Sequence, residues 1–238
     1  MLGGANATRK GQASAHYAVG RSYAEGVDRY VSLENRSWHA GALQTLRWDG
    51  QTLGNPDFRG LRTCVGIETV NLGYARDGVP AGSDWINATT PIHKPYRIQP
   101  WTAEQIQMCI EVGKQILTRW PGITPRDHQG HHDLCPQYKE DVTGFPFATV
   151  LRGLYGDATI PDVWTPLWTA QQRQAALIRL GYDLGRSGAD GIWGTHSGNA
   201  LKSFQSRNGL VVNGCWTTFV SWKVYDVAKS KGIGWPLG

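Results

Sequence analysis

The sequence predicts an α/β domain with a mixed central β-sheet flanked by helices, followed by a small three-helix domain. Short β-prone runs, which include Ala15–Val19 and the β-branched Cys64–Val70, come before a long amphipathic helical pattern over 102–120. Proline, glycine and aspartate then interrupt all periodicity between 155 and 168. Three short helical patterns follow between 169 and 238.

The length of 238 residues allows one large domain or two smaller ones, at about 150 residues per domain. We expect a first domain over 1–154, a linker over 155–168 and a second domain over 169–238. Hydrophobic residues make up 40% and charged residues 18% of the chain, which excludes a disordered protein. No apolar run approaches the roughly 20 residues of a membrane-spanning helix, so we expect no membrane insertion.

Each element of the first domain has a local signal. We expect strands at Ala15–Val19 and Tyr30–Leu33, separated by a turn that starts at Gly20. The nearly continuous β-branched run Cys64–Val70 is typical of a central strand. The helix over 102–120 shows one apolar face, made by Ile106, Cys109, Ile110, Gly113, Ile116, Leu117 and Trp120.

Helix-start signals mark the first helix and the second domain. Thr102 with Gln105, and Thr169 with Gln172, are each spaced as a capping box. Thr195 is predicted to cap the next helix, and a third helix is expected from Phe219 to Ala228. A core this small is marginally stable alone, so packing against the larger domain is expected.

The charge favours a polyanionic partner. With 24 basic and 19 acidic residues the formal net charge is +5, and the pI is near 9.1. An anionic cell wall or membrane surface fits this charge, and basicity that only aids solubility is the plainer interpretation. The longest basic run is Arg9-Lys10, which disfavours nucleic acid.

The segment 127–141 concentrates residues that bind metals. It contains three histidines, several carboxylates and Cys135, and Pro and Gly place it in a loop. Imidazole and carboxylate suit Zn²⁺, while a solvated polar loop explains the same composition. Cys135 is a ligand or a bystander, and the absence of any Cys-x-x-Cys pair disfavours a structural zinc ribbon.

This loop carries a family resemblance. Gly130-His131-His132-Asp133, followed by Pro136 and Lys139-Glu140-Asp141, resembles the ligand loop of the zinc-dependent N-acetylmuramoyl-L-alanine amidases of type 2. Phage endolysins and peptidoglycan-recognition proteins belong to that superfamily. Three further stretches resemble the family in its own order, namely Ser14-Ala15-His16-Tyr17, Trp38-His39-Ala40-Gly41 and Val65-Gly66-Ile67-Glu68.

The resemblance implies Zn²⁺ as cofactor and assigns the chemistry to four residues. His131 and Asp141 would be zinc ligands. Glu68 would be the general acid/base, and Lys139 would stabilise the oxyanion.

The resemblance also implies roles for one tryptophan and for the other histidines near these motifs. Trp38 and His39 would line the substrate groove. His16 is expected to be structural, and His128 and His132 are expected to be solvated or to lie behind the ligands.

One family feature is missing from the sequence. The first zinc ligand of the family is a histidine on an N-terminal strand, and no histidine precedes Ser14. Three explanations stay open. The chain lacks its first strand, another residue such as His16 replaces the ligand, or the domain binds wall fragments without zinc.

The C-terminal part has its own resemblance. Leu180-Gly181-Tyr182-Asp183, Asp190-Gly191-Ile192-Trp193-Gly194 and Ala200-Leu201-Lys202-Ser203-Phe204-Gln205 resemble a three-helix peptidoglycan-binding module. Its wall-binding residues would be Asp190, Trp193 and Phe204.

Together these resemblances imply a hydrolase that cleaves the amide between N-acetylmuramic acid and L-alanine, as a phage endolysin or bacteriolytic wall enzyme does. The implied partner is peptidoglycan, and a monomer is expected. No signal peptide is visible at Met1–Asn6, so we expect synthesis in the cytoplasm and action at the cell wall. The alternative is a non-catalytic peptidoglycan-binding protein.

Overall fold

The computed structural model describes residues 14–35, 37, 39, 64–137, 139–141, 143–156, 160–161 and 169–235. Three strands form a mixed sheet, β1 (Tyr17–Val19), β2 (Val27–Arg29) and β3 (Ile67–Thr69). β1 pairs antiparallel with β2 and parallel with β3. This confirms the predicted mixed sheet.

Two strand predictions are wrong in detail. Tyr30–Leu33 is not a strand, because Gly26 turns the chain with φ +70° and β2 begins directly after it. The Cys64–Val70 run is a strand only over β3, and Ile67 is 36% exposed, unlike a strand buried on both faces. Among the described strands, β1 is the central one.

A two-stranded antiparallel hairpin, which the sequence analysis did not find, follows the sheet. It pairs β4 (Ile86–Thr89) with β5 (Pro95–Ile98). His93 adopts a φ of +68° in the connecting turn. The C-terminal region contacts this hairpin, because Arg173 donates hydrogen bonds to the Thr89 and Thr90 carbonyls.

Helix α1 (Ala103–Arg119) confirms the strongest helix prediction. Its N-cap Thr102 accepts a hydrogen bond from the Gln105 backbone N–H. The Gln105 side chain does not complete the predicted capping box. It donates instead to the carbonyls of Val19 and Val70, at 3.3 and 3.0 Å. The buried amide thus joins α1 to the ends of β1 and β3.

The first core lies between the sheet and two helices. Tyr17 and Val19 of β1 pack with residues of α1, and α3 (Phe147–Tyr155) crosses α1 closely. A Cβ on Gly113 would lie 2.6 Å from the Leu154 side chain, so a larger residue there would force that side chain to move.

The C-terminal region forms three helices, as predicted: α4 (Ala170–Arg179), α5 (Thr195–Arg207) and α6 (Thr218–Ser230). The predicted capping box of Thr169 and Gln172 is present at the start of α4. Thr195 is the first residue of α5 rather than its cap, since Gly194 occupies the N-cap position. We call residues 169–235 the helical module.

The helical module shares its core with the first region. Leu134 and Cys135, from and just after the short helix α2 (His131–Leu134), are buried in the same cluster as the module's apolar residues. Leu151 of α3, Ile160 and Trp222 of α6 form a further shared cluster. The expected packing of the module against the larger domain is therefore present. The exact domain limits stay a prediction.

None of the helices in the described ranges is long and apolar enough to cross a membrane.

Candidate active site

Glu68 stands on the face of the sheet opposite α1. Tyr17 and Val19 are buried towards α1, so Ala18 between them points to the other face. Glu68 and Asp28 both stand in register with Ala18, from the strands on either side. Both carboxylates are exposed, and they lie on one face of the sheet.

A buried histidine precedes β1 and is fully engaged. His16 is 2% exposed. Its Nε2 lies 3.0 Å from the Asn35 carbonyl oxygen, which can only accept, so Nε2 carries the proton. Its Nδ1 accepts from the Gly66 N–H at 3.1 Å and from the Ser37 hydroxyl at 2.8 Å. Burial lowers the pKa of His16, and the Asn35 bond partly offsets this.

This arrangement bears on one explanation for the missing ligand. A zinc ligand needs a free nitrogen lone pair, and both His16 nitrogens are already in use inside the protein. The open alternative that His16 replaces the ligand is therefore disfavoured, and the expectation that His16 is structural agrees with its contacts.

The same hydrogen-bonded chain sets the tautomer of His39. Ser37 has one proton, which it donates to His16, so its oxygen accepts from His39 Nδ1 at 2.7 Å. His39 Nε2 then holds a lone pair. It is buried, with no partner among the described residues. Burial, followed by the nearby His16 and His131, lowers the pKa of His39 to about 4, so the ring is neutral.

His39 rests directly on the strand that carries Glu68. A Cβ at Gly66 would lie 2.6 Å from the His39 ring, so the lack of a side chain at Gly66 leaves room for the ring. Trp38, the other predicted groove residue, lies outside the described residues.

The structure brings His131 and Asp141 together. His131 Nδ1 lies 2.8 Å from Asp141 Oδ2, and the His132 backbone N–H donates to the Asp141 carbonyl at 2.6 Å. Burial raises the pKa of Asp141, but the His131 hydrogen bond and the charges of His131 and Lys139 outweigh it and lower the pKa. Lys139 thus contributes positive charge at this pair.

The pair fits zinc as two of its ligands. Imidazole and carboxylate are donors that Zn²⁺ prefers, and these two side chains already converge. Catalytic zinc sites usually have three protein ligands. Within the ranges that the structure describes, no group of three His, Cys, Asp or Glu residues converges. His131 and Asp141 alone would therefore supply only part of such a ligand set.

The remaining loop residues point inward. His128 Nε2 is 2.8 Å from the Tyr155 hydroxyl, and burial lowers the pKa of His128 to about 4, so this side chain is not solvated. His132 Nε2 is 3.4 Å from Asp133, behind the ligand pair. Cys135 is fully buried in the core of the helical module, which makes it a bystander rather than a ligand.

Family models match both regions of the chain. Residues 3–143, more than half of the chain, match the family model described as N-acetylmuramoyl-L-alanine amidase, Amidase_2. The chain belongs to this amidase family. Residues 170–219 match a model described as a putative peptidoglycan binding domain. The resemblances seen in both parts of the sequence are thereby confirmed.

Two solved structures share the fold of this amidase-family chain. One is the N-acetylmuramyl-L-alanine amidase AmiD from E. coli with its substrate anhydro-N-acetylmuramic acid-L-Ala-D-gamma-Glu-L-Lys. It aligns over 94% of this chain and 82% of its own, at 22% identity and a TM-score of 0.50. The other is AmpDH3 from Pseudomonas aeruginosa with anhydromuramic pentapeptide, over 93% and 84%, at 21% identity and 0.50. No curated protein matches significantly.

The three predicted wall-binding residues of the helical module make internal contacts. Phe204 is fully buried in the module core, so it supports the fold and does not reach a ligand. Trp193 stacks on His93 of the β4–β5 turn, with ring centroids 3.6 Å apart. Asp190 accepts from Gln174 Nε2 and the Ile192 N–H, which fixes the turn before α5.

Sequence reasoning missed several residues that hold the site. Ser37 directly precedes the Trp-His-Ala-Gly stretch and gives no signal of its own. Asp133 belongs to the ligand loop by sequence, yet it is 1% exposed and binds the helical module. The available sequence signal for Asp133 is its position three residues after Gly130 at the start of a helix, where its carboxylate accepts from the Gly130 N–H.

Proposed function

We propose that this protein hydrolyses the amide bond between N-acetylmuramic acid and the L-alanine of the peptidoglycan stem, with zinc as cofactor. The observation that carries the proposal is the convergence of His131 and Asp141, in a chain of the amidase family whose sheet also presents an exposed Glu68.

His131 and Asp141 would hold the zinc. When bound, zinc would polarise the substrate carbonyl and lower the pKa of a coordinated water. A bound cation would take the place of the proton in the hydrogen bond between His131 and Asp141, whose atoms lie 2.8 Å apart.

Glu68 would move the proton. Its exposed carboxylate can accept a proton from the attacking water as the oxygen–carbon bond forms, and return it to the alanine nitrogen as the carbon–nitrogen bond breaks. Lys139, whose charge reaches Asp141, would stabilise the oxyanion that develops on the carbonyl.

The other predicted site residues would bind substrate. His39 is neutral and holds a buried lone pair at Nε2, which suits an acceptor for a substrate N–H or O–H. Trp38, which precedes it in the sequence, would line the same groove. We further propose that the helical module attaches the enzyme to the wall, which raises its local concentration on an insoluble substrate.

We also propose that the chain acts as a monomeric wall-lytic enzyme, as a phage endolysin does. The match to a putative peptidoglycan binding domain next to the amidase domain supports action on intact wall.

A second candidate function is wall binding without catalysis. It is favoured by one observation, that the described residues supply only two converging zinc ligands. The exposed Glu68 and the positive charge of Lys139 at the ligand pair favour the enzyme.

The test is Glu68→Gln, with Asp28→Asn as the matched control. Both changes remove one exposed carboxylate in register with Ala18, on opposite sides of it. We expect Glu68→Gln to lower the rate of release of free alanine amino termini from purified peptidoglycan by about 100-fold or more. Asp28→Asn should leave this rate unchanged. Equal rates for both variants would contradict the role of Glu68.

A further inference from the structure

One buried carboxylate joins the ligand loop to the helical module. Asp133 Oδ2 accepts from the Gly130 N–H at 2.9 Å, at the start of α2, and from the Thr218 hydroxyl at 2.7 Å. Asp133 Oδ1 accepts from the Thr218 N–H, the first amide of α6, at 2.7 Å. We call these contacts the Asp133–Thr218 bridge.

The bridge is a strong contact for two physical reasons. Its hydrogen bonds go to a charged acceptor that is 1% exposed, so water neither competes with nor screens them. The carboxylate also lies at the positive end of α6, where the helix dipole favours an anion. Without α6, Asp133 would be a buried charge that has lost both of its Thr218 donors, which is costly.

Apolar packing reinforces the same junction. Leu134 and Cys135 directly follow Asp133, and both are buried among apolar residues of the helical module. Three consecutive residues of the ligand loop thus depend on the module, whereas none of them is exposed to substrate.

The segment fixed in this way carries the proposed zinc ligand. His131 lies between Gly130 and Asp133, the two residues whose hydrogen bond closes the start of α2. The next residue, His132, donates its backbone N–H to the Asp141 carbonyl at 2.6 Å. A shift of this segment would move His131 and the residue that holds Asp141 at the same time.

We propose that the helical module, through the Asp133–Thr218 bridge, positions the loop that bears the metal ligands, in addition to any role in wall attachment. The consequence for zinc affinity rests on the proposed ligand role of His131 and Asp141. Thr218 is then a positioning residue, which acts on the site through Asp133 without touching metal or substrate.

The test uses three variants of the full chain. Thr218→Val removes the hydroxyl donor and keeps the side-chain shape, and Thr218→Ser keeps the hydroxyl. Thr195→Val is the matched control, since Thr195 is also the first residue of a module helix and is exposed. Should Thr218→Val fail to fold, Thr218→Ala makes the same deletion with less bulk.

The first readout is the dissociation constant for zinc, measured by competition with a chromogenic chelator. We expect it to rise about tenfold in Thr218→Val, because a charge-assisted buried hydrogen bond is lost. Thr218→Ser and Thr195→Val should bind like the wild type. Amidase activity of Thr218→Val should fall at limiting zinc and return at excess zinc, which a general loss of structure would not allow.

The second readout is hydrogen exchange of the backbone amides of 130–135 in the metal-free protein. We expect faster exchange in Thr218→Val than in Thr195→Val. If the two variants match in both exchange and zinc affinity, the proposal is overturned. Faster exchange in a protein whose wild type binds no zinc would support the bridge and refute the ligand assignment, so the two failures are distinguishable.

Discussion

The candidate site is built from two histidine regions that are supported in different ways. The region around His16 and His39 is held from within the first domain, by Asn35, Ser37 and Gly66. The loop that bears His131 is held partly from outside it, because its buried Asp133 takes two hydrogen bonds from the first residue of α6.

The difference shows what the C-terminal helices contribute. A site supported only by its own domain would keep its geometry when the helical module is displaced. Here one half of the site should keep its geometry and the other half should lose it. The module is therefore part of the structural support of the proposed ligands.

Among the substitutions that separate the two regions, Arg173→Met is expected to lower the free energy of unfolding the most. Arg173 of α4 is 4% exposed and donates to the Thr89 and Thr90 carbonyls at 2.9 and 2.8 Å. It also donates to His93 Nδ1 at 3.1 Å. The change removes a buried donor from all three acceptors, although the Thr90 carbonyl keeps its bond from the His93 N–H at 2.9 Å, so we expect the free energy of unfolding to fall by about 3 kcal/mol.

Denaturant unfolding measures this loss, with Arg186→Met as the control because Arg186 is an exposed arginine of the same module. Hydrogen exchange of the backbone amides should become faster over 130–135 and stay unchanged around His16. If exchange became faster by the same factor in both regions, the claim that they are supported in different ways would be contradicted.

A smaller, local effect is expected from Ser37→Ala. The change removes the donor to His16 Nδ1 and leaves the Nδ1–H of His39 without its acceptor. We expect the free energy of unfolding to fall by about 1–2 kcal/mol, since both groups are at least partly buried. Thermal unfolding against Ser32→Ala, whose hydroxyl accepts only one long bond of 3.4 Å, provides the check.

The zinc affinity of Ser37→Ala should equal that of the wild type, because the bridge to α6 is intact. A loss of affinity as large as that of Thr218→Val would mean that the two regions act as one unit.

Elements with strong local signals were predicted well. The apolar face of α1 and the capping box at Thr169 are properties of neighbouring residues, and both are present. Where a tertiary contact competes, local reasoning failed. Gln105 has the spacing of a capping box, but its amide binds two strand carbonyls instead.

The site shows the same division. The pairing of His131 with Asp141 followed from the resemblance of a short ordered segment, and the two side chains do meet. The bridge from Asp133 spans 85 positions along the chain, and nothing in the pattern around either residue indicates the partner. Phe204 and Trp193 were recognised by their motif, yet their burial and stacking depend on packing that the motif does not specify.

The most direct test of the central claim is mass spectrometry of purified peptidoglycan after incubation with the full chain, with and without a zinc chelator. The account predicts release of stem peptides with a free L-alanine amino terminus, lost with chelator and restored by added zinc. Intact glycopeptides under all conditions, from a chain that still binds the wall, would contradict the amidase and leave a wall-binding protein.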